Sequence, residues 1–133
     1  MIDINISIIM DCDEETIEVL YNDAYGEYGL SDKAKKMFEE RKTNEDFEDD
    51  RDTPLILQIF HELGIEFSDK FCQVKSEKVP KKYKGFYKIS EYDCKEEVYI
   101  DYYTYELVSI LRHDTMTDSE KINKLKEKFK RHL

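Results

Sequence analysis

The sequence has no cysteine pair at CxxC spacing, no glycine-rich phosphate signature and no apolar run long enough to span a membrane. Each gap removes a class of function. Cys12, Cys72 and Cys94 are an odd number spread along 133 residues, so reduced thiols are expected rather than a disulfide framework or a zinc ribbon. The four glycines include no GxGxxG and no glycine loop followed by a Lys-Thr pair, which reads against dinucleotide and P-loop sites. No stretch approaches the roughly 18 apolar residues of a membrane span. The apolar residues among 1–10 are broken by Asp3 and Asn5 and follow no basic stretch, unlike a secretory signal. His61, His113 and His132 show no metal-ligand spacing, and no Cys–His pair has a third partner in view. The expectation is a soluble, intracellular protein with no metal, no cofactor and no catalytic residues.

What is present is charge and tyrosine. The net charge is −10, yet residues 120–133 carry six Lys/Arg against two Glu, so the other 119 residues carry about −14. An acidic body repels phosphate backbones, which argues against nucleic acid as a partner. The short basic tail reads as the solvated face of a mixed Lys/Glu helix. At 40% hydrophobic and 13% aromatic, the chain has enough apolar material for one core, read as a single domain over 1–133.

Along the chain, Ile2, Ile4, Ile6 and Ile8 alternate with polar residues as in a half-buried strand, and residues 11–15 read as a turn. Residues 16–23 fit either periodicity. The β-branched residues favour a strand, with Ile17, Val19 and Tyr21 on one face, in a hairpin with 2–10. Tyr25-Gly26-Glu27-Tyr28-Gly29-Leu30-Ser31-Asp32 is a strand-to-helix corner: Gly26 and Gly29 stand where side chains do not fit, and Ser31 caps a helix over about 32–42. Residues 43–52 are an acidic connection. Thr53 is a hydroxyl cap, Pro54 the first helical position, and Gly64 a left-handed cap closing the helix of Leu55, Ile56, Ile59, Phe60 and Leu63. A strand over 71–79 stops at Pro80. Two more strands, 86–92 and 96–100, flank a hairpin turn at Asp93-Cys94-Lys95, and a short helix follows around 105–111. Thr117 and Glu120 form a capping box for an amphipathic C-terminal helix over 117–133. The fold class expected is α+β, a small mixed or antiparallel sheet of about four to five strands packed by three to four helices.

Four blocks in order carry a family resemblance: Tyr25–Asp32; Arg51-Asp52-Thr53-Pro54-Leu55-Ile56 through Glu62-Leu63-Gly64; Val79-Pro80; and Glu91-Tyr92-Asp93. With them, residues 17–100 resemble a family of small proteins of bacteriophages and of giant DNA viruses of protists, for which no reaction is assigned. The family pattern has glycine at 27, phenylalanine at 28 and glycine at 94, where this chain has Glu27, Tyr28 and Cys94. A type I′ turn would then force Cys94 to a positive φ, at a cost of about 1 kcal/mol. The resemblance implies the fold and a viral setting, in host cytoplasm or nucleus or in the virion, and brings no activity.

Two constellations are weighed and set aside. The Gly26–Asp32 block precedes a helix N-terminus, but Glu27 and Asp32 would repel an anion, so it reads as a structural turn. Glu45, Asp46, Glu48, Asp49, Asp50 and Asp52 lack EF-hand spacing and read as a solvated linker. The ten tyrosines remain, as an exposed binding patch or as ordinary strand packing. The residues favoured for contact with a ligand or partner are Tyr25, Tyr28, Tyr99, Tyr102 and Tyr103. Non-catalytic binding of a protein partner, or of a second copy, is the leading reading. A binder or sequestering protein for a small, nucleotide-type ligand is the alternative, and a virion or assembly component the third.

Overall fold

The computed structural model describes residues 15–130. The expected strand over 2–10, its hairpin turn, Cys12 and His132 lie outside the described residues. The chain divides into two compact units, residues 1–99 and 100–133.

In the first unit, strand β1 (Thr16–Asn22) pairs antiparallel with β2 (Val74–Pro80), Thr16 opposite Pro80 and Asn22 opposite Val74. Between them lie helix α1 (Asp32–Arg41), helix α2 (Pro54–Leu63) and a 3₁₀ turn (Gly64–Phe67). A second 3₁₀ turn (Lys81–Tyr83) leads into the hairpin of β3 (Tyr87–Tyr92) and β4 (Lys95–Ile100). The class is therefore α+β. The single sheet of four to five strands is not what the described residues form; they form two separate two-stranded antiparallel sheets. The reason lies at the free edge of β1. Its Leu20 N–H donates to the Arg51 carbonyl at 2.8 Å and its Asn22 N–H to Glu96 Oε1 at 2.8 Å. A loop backbone and a side chain occupy the edge where the hairpin would otherwise have paired.

The register settles which face of β1 meets the core. Leu20 lies with Val74 against Leu30, Ala34, Phe38, Ile56, Ile59 and Phe67, all buried. Ile17, Val19 and Tyr21, the alternation expected to define the strand, occupy the opposite face, where Val19 and Val79 are also buried. Phe60 and Phe67 meet edge to face at 5.4 Å between ring centroids, a geometry aromatic pairs prefer.

The caps fall mostly where the residue types place them. Ser31 Oγ accepts from the Ala34 N–H at 3.1 Å, and the Ser31 N–H donates to the Phe67 carbonyl at 2.9 Å, which ties α1 to the 3₁₀ turn. Pro54 opens α2 and Gly64 closes it at φ 57. Thr53 makes no capping bond; its hydroxyl is turned to Asp50 Oδ2 at 3.4 Å. The acidic connection is built rather than loose: Asp46 and Asp50 carboxylates accept from the Thr43 and Phe47 N–H groups, each at 2.9 Å.

The second unit holds helix α3 (Tyr102–Leu111) and helix α4 (Asp118–Lys128). Asp101 caps α3 by accepting from the Thr104 N–H at 3.1 Å, so the helix begins three residues before the expected Tyr105. Thr117 caps α4 by accepting from the Glu120 N–H at 3.2 Å, as its capping box predicts. Tyr103 packs edge to face on Phe129 at 4.5 Å, and Lys128 pairs with Glu106 at 3.0 Å. No described helix is long and apolar enough to cross a membrane.

Candidate functional site

The 24–28 corner is held from below by Asn22, a fully buried side chain. Its Nδ2 donates to the carbonyls of Ala24 at 3.0 Å, of Cys94 at 2.9 Å and of Gly26. Its Oδ1 accepts from the N–H of Gln73 at 3.0 Å and of Ala24 at 3.2 Å. One amide thus joins the corner, the start of β2 and the tip of the β3–β4 hairpin. Inside a protein such a saturated polar group rigidifies what it touches, because every alternative leaves a buried donor or acceptor unpaired.

Beside it lies a buried ion pair. Arg51 donates through both terminal nitrogens to Glu96, at 2.7 and 3.0 Å, and the side chains are 18% and 8% exposed. The guanidinium also donates to the Leu20 carbonyl at 3.3 Å and lies over the Tyr28 ring, 3.5 Å from its centroid. Forked pairing and stacking together are what arginine offers and lysine does not. Next to it, Tyr87 donates to Asp52 Oδ2 at 2.8 Å. Burial, reinforced by that bond, raises the Tyr87 phenol above its ordinary pKa. Burial raises the Tyr28 phenol as well, with the Arg51 charge pulling the other way. The Tyr28 hydroxyl is buried without a hydrogen-bond partner among the described residues. A cavity of about 230 Å³ opens here, lined by Glu27, Tyr28, Asp49, Arg51, Cys94 and Glu96 among others.

The two glycines of the corner differ in what they do. A Cβ on Gly26 would lie 1.8 Å from the Phe71 carbonyl oxygen, so glycine is required by close backbone approach. A Cβ on Gly29 would meet its nearest atom, of Asp69, at an ordinary 3.5 Å. At the hairpin, Asp93 and Cys94 both hold positive φ, 49° and 70°, the I′ conformation that favours glycine at the second position. Burial and the carboxylates of Glu91, Glu27, Asp93 and Glu96 raise the Cys94 thiol above its ordinary pKa, so the group is a protonated, weak nucleophile at neutral pH.

Of the tyrosines singled out from the sequence, Tyr25 stands out from the corner, 66% exposed, with the Lys95 ammonium 5.6 Å from its ring centroid. Tyr28 turns inward against the core and beneath Arg51. Its ring is half-buried there and lines the 230 Å³ cavity. Tyr99 is exposed at the end of the first unit; Tyr102 and Tyr103 are exposed on α3, the latter with its ring edge on Phe129. Tyr92 at 77% and Phe71 at 72% are more exposed than any of them, and the sequence reading passed over both as contact residues.

Sequence reasoning also missed Asn22, Arg51 and Glu96. Arg51 did leave a trace, as the only cation in the acidic stretch 43–52. Chemically, Glu96 accepts three hydrogen bonds, two from Arg51 and one from the Asn22 N–H, which ties the acidic stretch and β1 to the hairpin. Among the described residues no group of three or more His, Cys, Asp or Glu is gathered as a metal site. Compared with known proteins, the chain matches no family model, no curated protein and no solved structure.

Proposed function

We propose that the protein acts by non-catalytic binding of a protein partner, as a virus-type accessory protein of the family its four sequence blocks resemble, working inside the infected cell. The observation that carries this reading is the mounting of Tyr25. The ring is exposed, while the carbonyls on either side of it, of Ala24 and Gly26, are both held by the buried Asn22 amide. An exposed aromatic on a preorganised backbone offers contact area at little entropic cost, the property of residues that anchor protein interfaces. Phe71 lies against the same corner, its carbonyl facing Gly26, and is equally open to solvent.

The test is affinity capture from infected cells with the full chain as bait. Tyr25→Ala combined with Phe71→Ala should abolish recovery of the partner while leaving the circular dichroism spectrum unchanged. Undiminished recovery by that variant refutes this face, and undiminished recovery by Tyr99→Ala/Tyr102→Ala/Tyr103→Ala as well refutes the tyrosine reading altogether. Charge opposes the nucleotide-type ligand: of the residues lining the 470 Å³ cleft beside β4, five are carboxylates and one is a lysine. Nucleotides and cyclic dinucleotides at millimolar concentration should therefore produce no thermal stabilisation.

A further inference from the structure

A groove of about 470 Å³ runs between the second face of the β1–β2 sheet, at Tyr21 and Glu77, and the hairpin, at Glu91, Tyr92, Glu97 and Val98. Its lining is mainly acidic, five carboxylates with Lys95 and Ser90, interleaved with Tyr21, Tyr92 and Val98, and Tyr92 is well exposed. Two of its carboxylates are already engaged: Glu96 by Arg51, and Asp23 by Lys75 at 2.5 Å and Lys95 at 3.6 Å. Glu77, Glu91 and Glu97 are exposed and have no ion-pair partner among the described residues. Three other exposed carboxylates of the unit are paired, Glu66 with Lys33, Glu62 with Arg41 and Glu15 with Lys81, and several elsewhere are not. What marks the groove is that three unpaired ones converge on it beside Tyr21 and Tyr92. The imbalance extends beyond the groove, since residues 1–99 hold 25 Asp/Glu against 14 Lys/Arg.

We infer that this groove docks a lysine- or arginine-rich segment of the protein partner. The inference rests on the partner-binding reading above and names the partner's chemistry. Long cationic side chains lay their methylene stems and charge along Tyr92 and Tyr21, where ring faces attract cations, and end on the three free carboxylates. The sign of the field selects among occupants. A chain of net charge −10 repels a second copy at long range and attracts a basic segment, so encounter with the latter is accelerated and salt-dependent. Phosphate-bearing ligands are repelled by the same field.

The probe is a fluorescein-labelled twelve-residue peptide of alternating Lys and Ala, titrated with the full chain and read by fluorescence anisotropy. Binding should saturate at one peptide per chain and weaken steeply with added salt. Glu77→Gln/Glu91→Gln/Glu97→Gln should weaken it about tenfold, from three charges each contributing a typical exposed-pair attraction. The same net change made elsewhere, Glu40→Gln/Glu45→Gln/Glu48→Gln, should weaken it by less than about threefold. Tyr92→Ala, which alters no charge, should weaken it about fivefold through the lost ring. Equal losses in the two triple variants, or no effect of Tyr92→Ala, overturn the groove in favour of diffuse charge attraction. A wild-type dimer in sedimentation equilibrium that the groove variant abolishes overturns the foreign basic partner in favour of a second copy. The capture experiment separates the two claims. If the groove variant still recovers a partner whose recovery depends on Tyr25 and Phe71, the groove inference fails and the partner-binding reading stands. If Tyr25 and Phe71 prove dispensable while the peptide still maps to the groove and the groove variant loses the partner, the Tyr25 face fails and the groove inference stands.

Discussion

Adding a single methyl group at residue 26, and separately at residue 29, tests how the corner is built. At Gly26 an alanine Cβ would sit 1.8 Å from the Phe71 oxygen, 2.4 Å from its carbonyl carbon and 2.5 Å from its Cβ. Two of those atoms are backbone, so relief requires moving a main chain that is itself pinned, because the Gly26 carbonyl accepts from Asn22 and the neighbouring Cys72 N–H donates to Asp69 at 3.2 Å. Overpacking of a fitted site costs about 1–3 kcal/mol, and the fixed backbone on both sides places Gly26→Ala at the upper end, about 3 kcal/mol. At Gly29 the nearest atoms stand at 3.5 and 3.6 Å, so Gly29→Ala meets no clash. Its reduced unfolded-state entropy can stabilise by about 0.4–1 kcal/mol. Urea unfolding followed by circular dichroism reads both. With a slope of about 2 kcal/mol per molar, Gly26→Ala should lower the midpoint by about 1.5 M and Gly29→Ala should leave it unchanged or raise it slightly. A Gly26→Ala midpoint within about 0.3 M of the Gly29→Ala midpoint would refute the close-approach argument.

Four further outcomes are expected. Arg51→Ala strands Glu96 as an unpaired buried charge and should cost about 3–5 kcal/mol in the same urea assay. Arg51→Lys should recover only a minor part, because an ammonium neither forks nor stacks. Tyr28→Phe removes a hydroxyl that has no partner among the described residues, and should be neutral or stabilising by about 1 kcal/mol; a loss above that would show the hydroxyl bonded. Cys94→Gly relieves the positive φ of 70° and should stabilise by about 1 kcal/mol, while alkylation kinetics of Cys94 in the parent should titrate above the ordinary thiol range. The hydrogen bond and charge of Lys75 hold Asp23 below its ordinary pKa of 3.8. That contribution to stability is full above the unfolded value and fades as pH falls through the lower folded one. Lys75→Met should raise the Asp23 titration seen by carboxyl-carbon NMR and flatten the acid limb of the stability profile.

Local signals were legible in proportion to how local their physics is. Ser31 and Thr117 cap because a hydroxyl needs only the N–H three residues on, and Gly64 ends α2 because only the last turn decides it. The hairpin could be placed but not sized: its turn reads as Asp93-Cys94-Lys95, whereas Asp93 and Cys94 alone turn, both at positive φ, and Lys95 already opens β4. The polar cluster could not be read. Asn22 and Glu96 are 74 residues apart and Arg51 and Glu96 are 45, and nothing in Lys95-Glu96-Glu97 distinguishes the glutamate that will be buried from the one that will be exposed. The acidic stretch misled for a related reason. Composition describes it as solvated, yet its last two residues, Arg51 and Asp52, are anchored by Glu96 and by Tyr87. Tyr28 reads as a surface aromatic until the fold puts the core on one side of it and a guanidinium on the other.

The bonds that occupy the outer edge of β1 also bear on how this chain behaves in a crowd. Strand edges with free N–H and C=O groups are templates on which another chain can add. Here the Leu20 and Asn22 donors are consumed by the Arg51 carbonyl and the Glu96 carboxylate, and the Leu20 acceptor by the Arg51 guanidinium. Losing the Glu96 side chain frees the Asn22 N–H and losing the Arg51 side chain frees the Leu20 carbonyl, while the Arg51 main-chain carbonyl keeps the Leu20 N–H. Either variant therefore opens part of a recruiting edge as well as weakening the fold. Such variants should form thioflavin-positive aggregates from the native side of the unfolding transition, at denaturant concentrations where Gly26→Ala, destabilised to a similar degree with its edge still covered, stays monomeric.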